Sequence, residues 1–499
     1  MKYTSTRNNK ISINASEAIL KGLSEDGGLF VPIEYPDIYN SLNDIKEMNY
    51  TDLSTFILKY FIPEFTETEI HNCAINAYKN NFNCTNCVEV RNFNDISFLE
   101  LFHGPTLAFK DMALTIMPHL MNQSKETCKF SSDIAILTAT SGDTGKAALE
   151  GFKNIDGIKI AVFFPENGVS EIQKLQMRTQ TGNNVYVSGI YGNFDDAQNA
   201  VKTIFSDRNY NKYLNSSGTY LSSANSINLG RLLPQIIYYI YSYAELLRKN
   251  IINCGEKINF VVPTGNFGDI LAGYYAKKMG LPINKLICAS NDNNVLYDFF
   301  NTGIYDKNRD LILTESPSMD ILISSNLERL LFDIYDGDSE KVSDLINSLY
   351  SNGKYSIPEY IQKKLNCFKA EYADSSDVKK SIYDVYAKYG YVIDTHTAVA
   401  YSCYQKYIKN SNDDTKAIIL STASPYKFAS SVVSALGYNP SKNEFDDIDL
   451  ISKISDSEIP KSIQKLKTAD IIHKDIYSKH NIKDAVSKFL DIRNGGDLI

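Results

Sequence analysis

The chain has 499 residues, 43% hydrophobic and 22% charged, a composition typical of a folded globular protein rather than a disordered or fibrous one. This length exceeds a single compact core and predicts about two to four domains. The 51 basic and 59 acidic residues give a formal net charge of -8. An acidic chain is not attracted to phosphate backbones or anionic lipid, so we expect neither nucleic acid nor a membrane as partner.

The sequence also gives expectations about compartment and metals. The first residues lack the apolar segment of a signal peptide, and no stretch approaches the roughly 18 apolar residues of a spanning helix. Eight cysteines over this length indicate reduced thiols. Cys84 and Cys87 form a C-x-x-C pair, but neither a second pair nor nearby histidines follow at zinc-site spacing. We therefore expect a cytoplasmic protein without a metal site.

The N-terminal part, residues 1–95, has mostly helical patterns and is expected to form a cap subdomain. Asn14 is a typical N-cap residue before the helical stretch that follows it, and the letters DGGLFVP indicate a turn into an extended segment.

From about residue 96 the pattern changes to short apolar runs rich in β-branched residues, separated by helical stretches: DIAILTA, IKIAVFFP, NNVYVSG, INFVVPTG, KLICAS and KAIILSTAS. This alternation predicts βαβ units on parallel sheets, hence an α/β fold. We expect a small domain over 131–250, inserted in a large domain made of 96–130 and 251–499. Residues 320–390 have amphipathic patterns that predict a helical insertion.

Ligands of open α/β sheets bind beyond the carboxyl ends of the strands, and the first such loop has the letters TSGDTG. A glycine-rich turn before a helix offers backbone N–H groups to an anion. A nucleotide P-loop fails on spacing, because Thr140 stands at the place of its first glycine and Ala147 at that of its Ser/Thr. A plain turn capped by Asp143 or Thr144 is the other interpretation.

The second loop has the letters PTGNFGD. Gly265 and Gly268 bracket Asn266 and Phe267, and Asp269 opens the next helix. Such a turn suits a phosphate group. Two anion sites on strands of one sheet predict a phosphorylated cofactor beside an anionic substrate.

Two further segments carry polar candidates. In STASPYKF, Ser421, Thr422 and Ser424 follow a strand and can hydrogen-bond a heterocycle nitrogen, although such residues also form ordinary turns. In NSINLGR, Asn225 and Arg231 would share a helical face with Asn228. Arg can bind a phosphate with two parallel N–H bonds. The alternative is a surface Arg, and Pro234 indicates a late start or a kink in that helix.

Lys110 in HGPTLAFKD lies between Phe109 and Asp111, and alone it is either a solvated cation or a reactive amine. With TSGDTG, NSINLGR, PTGNFGD and STASPYKF in this order, the chain resembles the threonine synthase family of pyridoxal-phosphate enzymes, in the tryptophan-synthase-β (fold type II) superfamily. The N-terminal letters STR and GLSEDGGLFVP are also similar to that family. The resemblance implies two parallel-rich α/β domains with a helical N-terminal cap.

The resemblance also implies roles for particular residues. Lys110 would be the catalytic amine that links covalently to pyridoxal 5'-phosphate, and burial near a helix N-terminus would favour its neutral, nucleophilic form. The cofactor would be bound by Gly265, Asn266, Phe267, Asp269 and Thr422. The substrate would be bound by Ser141, Gly142, Asp143, Thr144, Asn225, Ser226, Arg231 and Lys427.

Within this assignment Thr422 would contact the pyridine nitrogen, and a hydroxyl leaves that nitrogen less firmly protonated than a carboxylate would. Relatives usually read closer to STAHPAKF, so Ser424 and Tyr426 are departures that affect the shape of the pocket floor. His103 and Lys146 lie beside the motifs without an assigned role.

The implied reaction converts O-phospho-L-homoserine and water to L-threonine and phosphate, with the cap and small domain closing over the site. A threonine-synthase-like phospho-lyase, which releases a 2-oxo acid, ammonia and phosphate, is the alternative on the same scaffold. A nucleotide- or phosphometabolite-binding regulator without catalysis is the alternative from another class. A Ser-His-Asp hydrolase is disfavoured because no G-x-S-x-G surrounds Ser141. The oligomeric state is not predicted.

Overall fold

The structure is a computed structural model that describes residues 1–140, 142–166 and 169–491. Its described strands form two main sheets and two small antiparallel ones. In chain order the strands are β1 Tyr3–Ser5, β2 Asn8–Ile13, β3 Phe30–Pro32, β4 Glu89–Asn92, β5 Ser97–Glu100, β6 Asp133–Ala139, β7 Ile158–Pro165, β8 Val185–Tyr191, β9 Thr219–Ser222, β10 Ile258–Pro263, β11 Ile283–Ser290, β12 Ile304–Asp306, β13 Lys354–Ser356, β14 Phe368–Tyr372, β15 Ala417–Ser421 and β16 Ile476–Ser478.

The helices surround these sheets. They are α1 Ala15–Lys21, α2 Leu42–Lys46, α3 Tyr50–Phe61, α4 Glu67–Tyr78, α5 Asp111–Leu114, α6 Met117–Thr127, α7 Asp143–Phe152, α8 Glu171–Arg178, α9 Phe194–Ser206, α10 Arg208–Ser216, α11 Leu229–Arg248, α12 Gly268–Lys278, α13 Val295–Thr302, α14 Leu327–Ile334, α15 Ser339–Asn352, α16 Glu359–Gln362, α17 Ser375–Tyr389, α18 Thr395–Ser411, α19 Ala429–Ala435, α20 Glu444–Ser455, α21 Lys461–Gln464 and α22 Ile482–Phe489.

The larger sheet has the strand order β14-β11-β10-β15-β5-β4 and is parallel except for the edge strand β4. Every residue of its inner strand β10 is buried. Phe260 and Val262 pack into one hydrophobic core with α11 and α12, whereas Val261 belongs to a second core that contains α17 and α18. Helices therefore cover both faces, which explains why β10 is apolar throughout instead of alternating.

The smaller sheet has the order β16-β8-β7-β6-β9 and is parallel throughout. The expected α/β fold with parallel-rich sheets is confirmed, and each of the six apolar runs contains a strand. The two glycine-rich loops, however, do not leave one sheet as predicted. TSGDTG follows β6 of the smaller sheet and PTGNFGD follows β10 of the larger one. Both loops nevertheless lie next to Ser318, whose hydroxyl donates to Asp143 at 3.0 Å and whose carbonyl oxygen would lie 3.0 Å from a Cβ on Gly265.

The strands also depart from the expected boundaries. β4 lies within 1–95 yet pairs with β5 of the larger sheet, and β14 lies within 320–390 yet forms that sheet's other edge. β16 lies within 251–499 but pairs with β8 of the smaller sheet. These strands are short and sit at sheet edges, so their apolar patterns do not specify a partner. The division into domains remains a prediction.

The N-terminal segment contains a three-stranded antiparallel sheet, β2-β1-β3, beside helices α1 to α4. Helix α1 begins directly after Asn14, as expected. Helix α11, expected in the small domain, packs in the core of the larger sheet, with the Tyr239 ring 4.9 Å from that of Phe260. Nearly every residue of α11 is buried, because this helix is apolar on most of its circumference.

Within the described residues, all eight cysteines are free thiols. Cys84 and Cys87 form no disulfide, and burial raises the pKa of Cys84 to about 12. Cys254 is exposed. Among the described helices, none has the length and hydropathy that a bilayer crossing requires.

Arg329 joins three segments of the chain and is one of the most deeply buried side chains, with 1% exposure. Its Nε donates to Phe30 O at 2.9 Å and its Nη2 to Ile227 O at 2.6 Å, and Nη1 donates to Asn326. Asn326 in turn donates to Asn266 O at 3.0 Å. The N-terminal sheet is thereby tied to the loops that precede α11 and α12.

We expect Arg329→Met to lower the free energy of unfolding by about 3 kcal/mol, because two buried acceptors and one partly buried acceptor lose their donor. Arg309→Met is the matched control, since Arg309 forms a partly exposed pair with Asp298 at 2.8 Å and its loss should cost less than about 1 kcal/mol. Urea denaturation measures both variants. Equal losses of unfolding free energy in the two variants would contradict the conclusion that Arg329 ties the N-terminal sheet to these loops.

Candidate active site

Lys110 lies where β5 and β15 of the larger sheet end. Phe109 N–H donates to Thr422 O at 2.8 Å and Ser424 N–H donates to Leu107 O at 3.1 Å. These bonds hold the segment that carries Lys110 beside Thr422. Lys110 is 8% exposed, so its predicted alternative as a solvated cation does not describe this structure.

The turn before Lys110 is fixed by Asp111, whose carboxylate accepts from Thr106 N–H at 2.8 Å and from the Thr106 hydroxyl at 2.6 Å. Burial raises the pKa of Asp111 to about 6. A Cβ on Gly104 would lie 2.5 Å from the Asp111 side chain, so this turn requires glycine.

The Lys110 amine faces two oxygen atoms. Its Nζ lies 3.5 Å from Asp143 Oδ2 and 3.3 Å from Ser318 Oγ. Burial lowers the pKa of Lys110, and repulsion from the nearby charges of Lys427 and Arg231 lowers it further, while Asp143 opposes both effects. A lowered pKa increases the fraction of neutral amine, which is the nucleophilic form.

Asp143 opens α7 and is the one carboxylate in direct contact with these cations among the described residues. Its Oδ1 lies 2.6 Å from Lys427 Nζ and accepts from Gln173 Nε2 at 2.9 Å. Burial by itself would raise the pKa of Asp143, but the charges of Lys427 and Lys110 hold it well below its usual range. Lys427 is fully buried and also donates to Thr106 O at 2.9 Å.

Arg231 is a buried cation with no acidic partner in the described part of the chain. Its Nη1 donates to Ala224 O at 3.1 Å, and burial lowers its pKa to about 10. A buried guanidinium without a carboxylate favours an anionic ligand. The expected helical turn over Asn225, Asn228 and Arg231 is wrong, because Asn228 is the N-cap of α11 and only Arg231 lies on the helix.

The neighbours of Arg231 along the chain have different surroundings. The Asn228 side chain accepts from Gly230 N–H at 2.8 Å and donates to Ile19 O at 3.0 Å, which is a structural role. Asn225 N–H donates to Ser223 Oγ at 3.2 Å. Ser226 Cβ would lie 3.7 Å from a Cβ on Gly268, so this segment and the PTGNFGD loop are adjacent.

In the PTGNFGD loop, Phe267 has a left-handed backbone with φ 62° and precedes α12. None of the backbone N–H groups from Gly265 to Gly268 has an acceptor among the described residues. A Cβ on Gly265 would lie 3.0 Å from Ser318 O. Free N–H groups at a helix start, with a glycine that keeps the space open, are suited to a phosphate.

The Asp269 carboxylate is bonded to α11 and not to that loop. Its Oδ1 accepts from the hydroxyls of Tyr238 at 2.6 Å and Tyr239 at 2.8 Å, and its Oδ2 is buried without a partner among the described residues. Burial raises the pKa of Asp269 to about 6, although the two tyrosine hydroxyls oppose this.

The remaining predicted residues lie around the first loop. Ser141 lies outside the described residues. Gly142 has φ 148° and N-caps α7, and a Cβ there would lie 2.6 Å from Gln173. Thr144 is partly exposed in the first turn of α7. The Thr140 hydroxyl fixes the turn, because it accepts from the N–H groups of Gly142 and Gly145 at 3.0 and 2.9 Å. The sequence had not indicated this role for Thr140.

Sequence reasoning missed Ser318, His396 and Gln173. Ser318 and His396 lie just outside the expected insertion 320–390 and in none of the motifs, and a single Ser or His by itself gives no signal. The letters DTHT at the start of α18 were the available signal.

His103 and Lys146, which had no assigned role, both contact a glutamate. His103 bonds Glu100 at 2.8 Å and Lys146 pairs with Glu150 at 3.3 Å.

These residues fit pyridoxal phosphate. The group carries a phosphate, an aldehyde and a ring nitrogen. The N–H groups from Gly265 to Gly268 suit the phosphate, Lys110 offers an amine to the aldehyde, and Thr422 is adjacent to Lys110. Parallel sheets that face a buried lysine and a phosphate loop define a pyridoxal-phosphate enzyme of fold type II.

Comparison with known proteins gives the same result. The family model for the threonine synthase N terminus matches residues 2–78, that for pyridoxal-phosphate dependent enzymes matches 81–347, and that for the threonine synthase C-terminal region matches 397–476. The chain belongs to the threonine synthase family of pyridoxal-phosphate-dependent enzymes.

Individual relatives agree with this assignment. Threonine synthase of Saccharomyces cerevisiae is 36% identical over 502 residues, covering 94% of this chain and 96% of that protein. Human threonine synthase-like 1 is 40% identical over 438 residues, which are 84% of this chain and 58% of that protein. The chain thus spans less than two thirds of the human relative. The crystal structure of PLP-bound threonine synthase from Brucella melitensis has a TM-score of 0.87 at 33% identity, covering 98% of this chain and 99% of that one.

We expect Asp143→Asn in the cofactor-free protein to lower the free energy of unfolding by about 3–5 kcal/mol, because it leaves buried lysines without a counter-charge. Asp95→Asn is the control, since Asp95 pairs with Lys388 at the surface and should lose less than about 1 kcal/mol. Sulfate should stabilise the Asp143 variant more than the native chain. A loss no larger than that of the control would contradict the role given to Asp143.

The pKa of Asp269, about 6, exceeds the ordinary value of 3.8, so the folded chain binds this proton more tightly than the unfolded chain does. Asp269 therefore adds stability as the pH falls from about 6 to about 4. Asp269→Asn cannot titrate. We measure the free energy of unfolding of the native chain and of this variant by urea titration. The native value minus the variant value should increase as the pH falls from about 6 to about 4. A difference that does not change with pH would exclude the raised pKa.

Proposed function

We propose that this chain is a threonine synthase, a lyase that converts O-phospho-L-homoserine and water to L-threonine and inorganic phosphate. The observation that carries the proposal is the charge of the site. Three cations, Lys110, Lys427 and Arg231, are buried at the site, and the charges of the other two act on Lys110. Among the described residues Asp143 is the one carboxylate that contacts the lysines directly, and Arg231 contacts none. A buried cation without a carboxylate partner favours an anionic ligand. A phosphorylated cofactor and a phosphorylated amino acid are such ligands.

Each part of the site has a task in this reaction. The N–H groups from Gly265 to Gly268 would bind the cofactor phosphate, and Thr422 would face its ring nitrogen. Pyridoxal phosphate, when bound, supplies the electron sink that makes loss of protons from the substrate carbon atoms possible. The SGDTG loop with Asn225 and Ser226 would bind the charged ends of the substrate.

Lys110 is the proposed base. Its Nζ would take the α-proton of the substrate, because its lowered pKa leaves part of the amine neutral. Arg231 holds the departing phosphate, and its bidentate N–H groups stabilise the charge that develops on the oxygens. Lys427, which is bonded to Asp143 and Thr106, adds positive charge and is fully buried.

The second candidate is a phospho-lyase that uses the same substrate class but releases a 2-oxo acid, ammonia and phosphate. The 40% identity to human threonine synthase-like 1 favours keeping it, because that relative is named as like a threonine synthase and not as one. The two reactions differ in the last step only, where water either adds to the β-carbon or hydrolyses the released enamine.

The cytoplasm is the proposed compartment. The free thiols of all eight cysteines support it, since reduced thiols are typical of that compartment.

A product assay tests the proposal. Protein loaded with pyridoxal phosphate and given O-phospho-L-homoserine should yield L-threonine and phosphate in equal amounts, as measured by amino-acid analysis and a phosphate assay. Lys110→Ala should abolish turnover and the visible absorption of the bound cofactor, while Lys212→Ala at an exposed position should change neither. Release of 2-oxobutyrate without threonine would favour the phospho-lyase. A colourless native protein would favour the non-catalytic regulator.

A further inference from the structure

The hydroxyl of Ser318 lies against the Lys110 amine. Ser318 belongs to the short 3-10 turn Pro317–Met319, in the long segment 307–326 between β12 and α14. Its Oγ donates to Asp143 Oδ2 at 3.0 Å and lies 3.3 Å from Lys110 Nζ. A hydroxyl has one proton. Because that proton goes to Asp143, only the lone pairs of Oγ face the amine, and Ser318 accepts a hydrogen bond from Lys110.

His396 holds the backbone of Ser318. The Ser318 N–H donates to His396 Nε2 at 3.2 Å, so this nitrogen acts as the acceptor. The other ring nitrogen, Nδ1, bonds Asp394 Oδ2 at 2.8 Å. Asp394 therefore fixes the tautomer that leaves Nε2 free to accept. Asp394 is fully buried and is itself held by the N–H of Thr397 at 3.0 Å.

Hydrogen bonds to Asp320, two residues after Ser318, also hold this segment in place. Asp320 Oδ1 accepts from Asn291 Nδ2 at 2.7 Å, from Asn293 Nδ2 at 3.0 Å and from the Thr314 hydroxyl at 2.7 Å. With bonds on both sides, the position of Ser318 is determined by the protein and not by contact with Lys110 alone.

We infer that the Ser318 hydroxyl orients the Lys110 amine for reaction, and that His396 is the positioning residue that holds Ser318 there. The inference rests on the role of Lys110 in the proposed function and adds two residues to it. A neutral amine that donates one N–H to Ser318 and the other toward Asp143 has its lone pair directed to the remaining side. Without Ser318 the long lysine side chain has one polar contact fewer and samples more orientations.

Condensation of the Lys110 amine with the aldehyde of pyridoxal phosphate forms one C=N bond and releases one water molecule. We expect Ser318→Ala to slow this condensation about tenfold in cofactor-free protein, the factor that one hydrogen bond of ordinary strength contributes. Stopped-flow absorbance after addition of pyridoxal phosphate measures the rate. Ser318→Thr keeps the hydroxyl and should retain most of the rate. Ser318→Cys replaces the Ala variant if the latter is poorly folded.

Two controls separate orientation from a general structural role. Ser375 donates to Glu315 Oε1 of the same segment at 2.6 Å but lies outside the site, so Ser375→Ala should react at the native rate. Pyridoxine 5'-phosphate, which lacks the aldehyde, should bind native protein and the Ser318→Ala variant equally well by calorimetry. A parallel loss of this affinity would show that the pocket had collapsed and would overturn the inference.

His396 is tested through non-additivity. His396→Leu removes the acceptor and should slow condensation to a similar degree, while His396→Gln, which offers an amide oxygen, should recover part of the rate. The double variant Ser318→Ala/His396→Leu should be no slower than the single ones, since both act through one hydroxyl. Multiplied losses would overturn the positioning role.

The condensation rate tests the role of Ser318 independently of the product assay that tests the proposed function. Slow condensation in Ser318→Ala together with no turnover of O-phospho-L-homoserine by the native protein would overturn the proposed reaction and leave the orienting role intact. A native condensation rate in that variant would overturn the orienting role, whatever the product assay gives.

Discussion

The structure depends on one buried carboxylate. Asp143 follows β6 of the smaller sheet, whereas Lys110 and Lys427 lie on loops that leave β5 and β15 of the larger sheet. The ion pairs therefore join the carboxyl ends of the two sheets across the site. Removing three charges from water costs several kcal/mol for each ion, and their attraction offsets this only with good geometry. The 2.6 Å contact to Lys427 and the bonds from Gln173 and Ser318 supply that geometry.

The same arrangement leaves several polar groups without a protein partner. Arg231 is buried near Lys110 and contacts no carboxylate among the described residues, and the N–H groups from Gly265 to Gly268 have no acceptor there. In a globular core such groups are destabilising unless a ligand meets them. Under the proposed function, anions would be those ligands, and the cofactor-free chain would give up stability at the point where function needs it.

Much of this could be read from the sequence because the signals are local. Strand cores, the Asn14 cap and the glycine-rich turns follow from short patterns of residues. Lys110 and the two loops were found through their motifs. The partners of Asp269 were not, because Tyr238 and Tyr239 come from α11 and a sequence does not show which helix packs on which. Ser318 and His396 were missed for the same reason: they reach Lys110 through tertiary contacts made by single residues.

The thiols of this chain differ in a way that affects how it can be handled. The thiolate is the reactive form of cysteine. Burial raises the pKa of Cys84 to about 12 and also raises that of Cys87, so neither holds appreciable thiolate near neutrality. The C-x-x-C pair is therefore poorly suited to air oxidation. Cys254 alone of the eight is exposed. A maleimide dye should attach there first, which gives a single optical reporter far along the chain from the Lys110 loop.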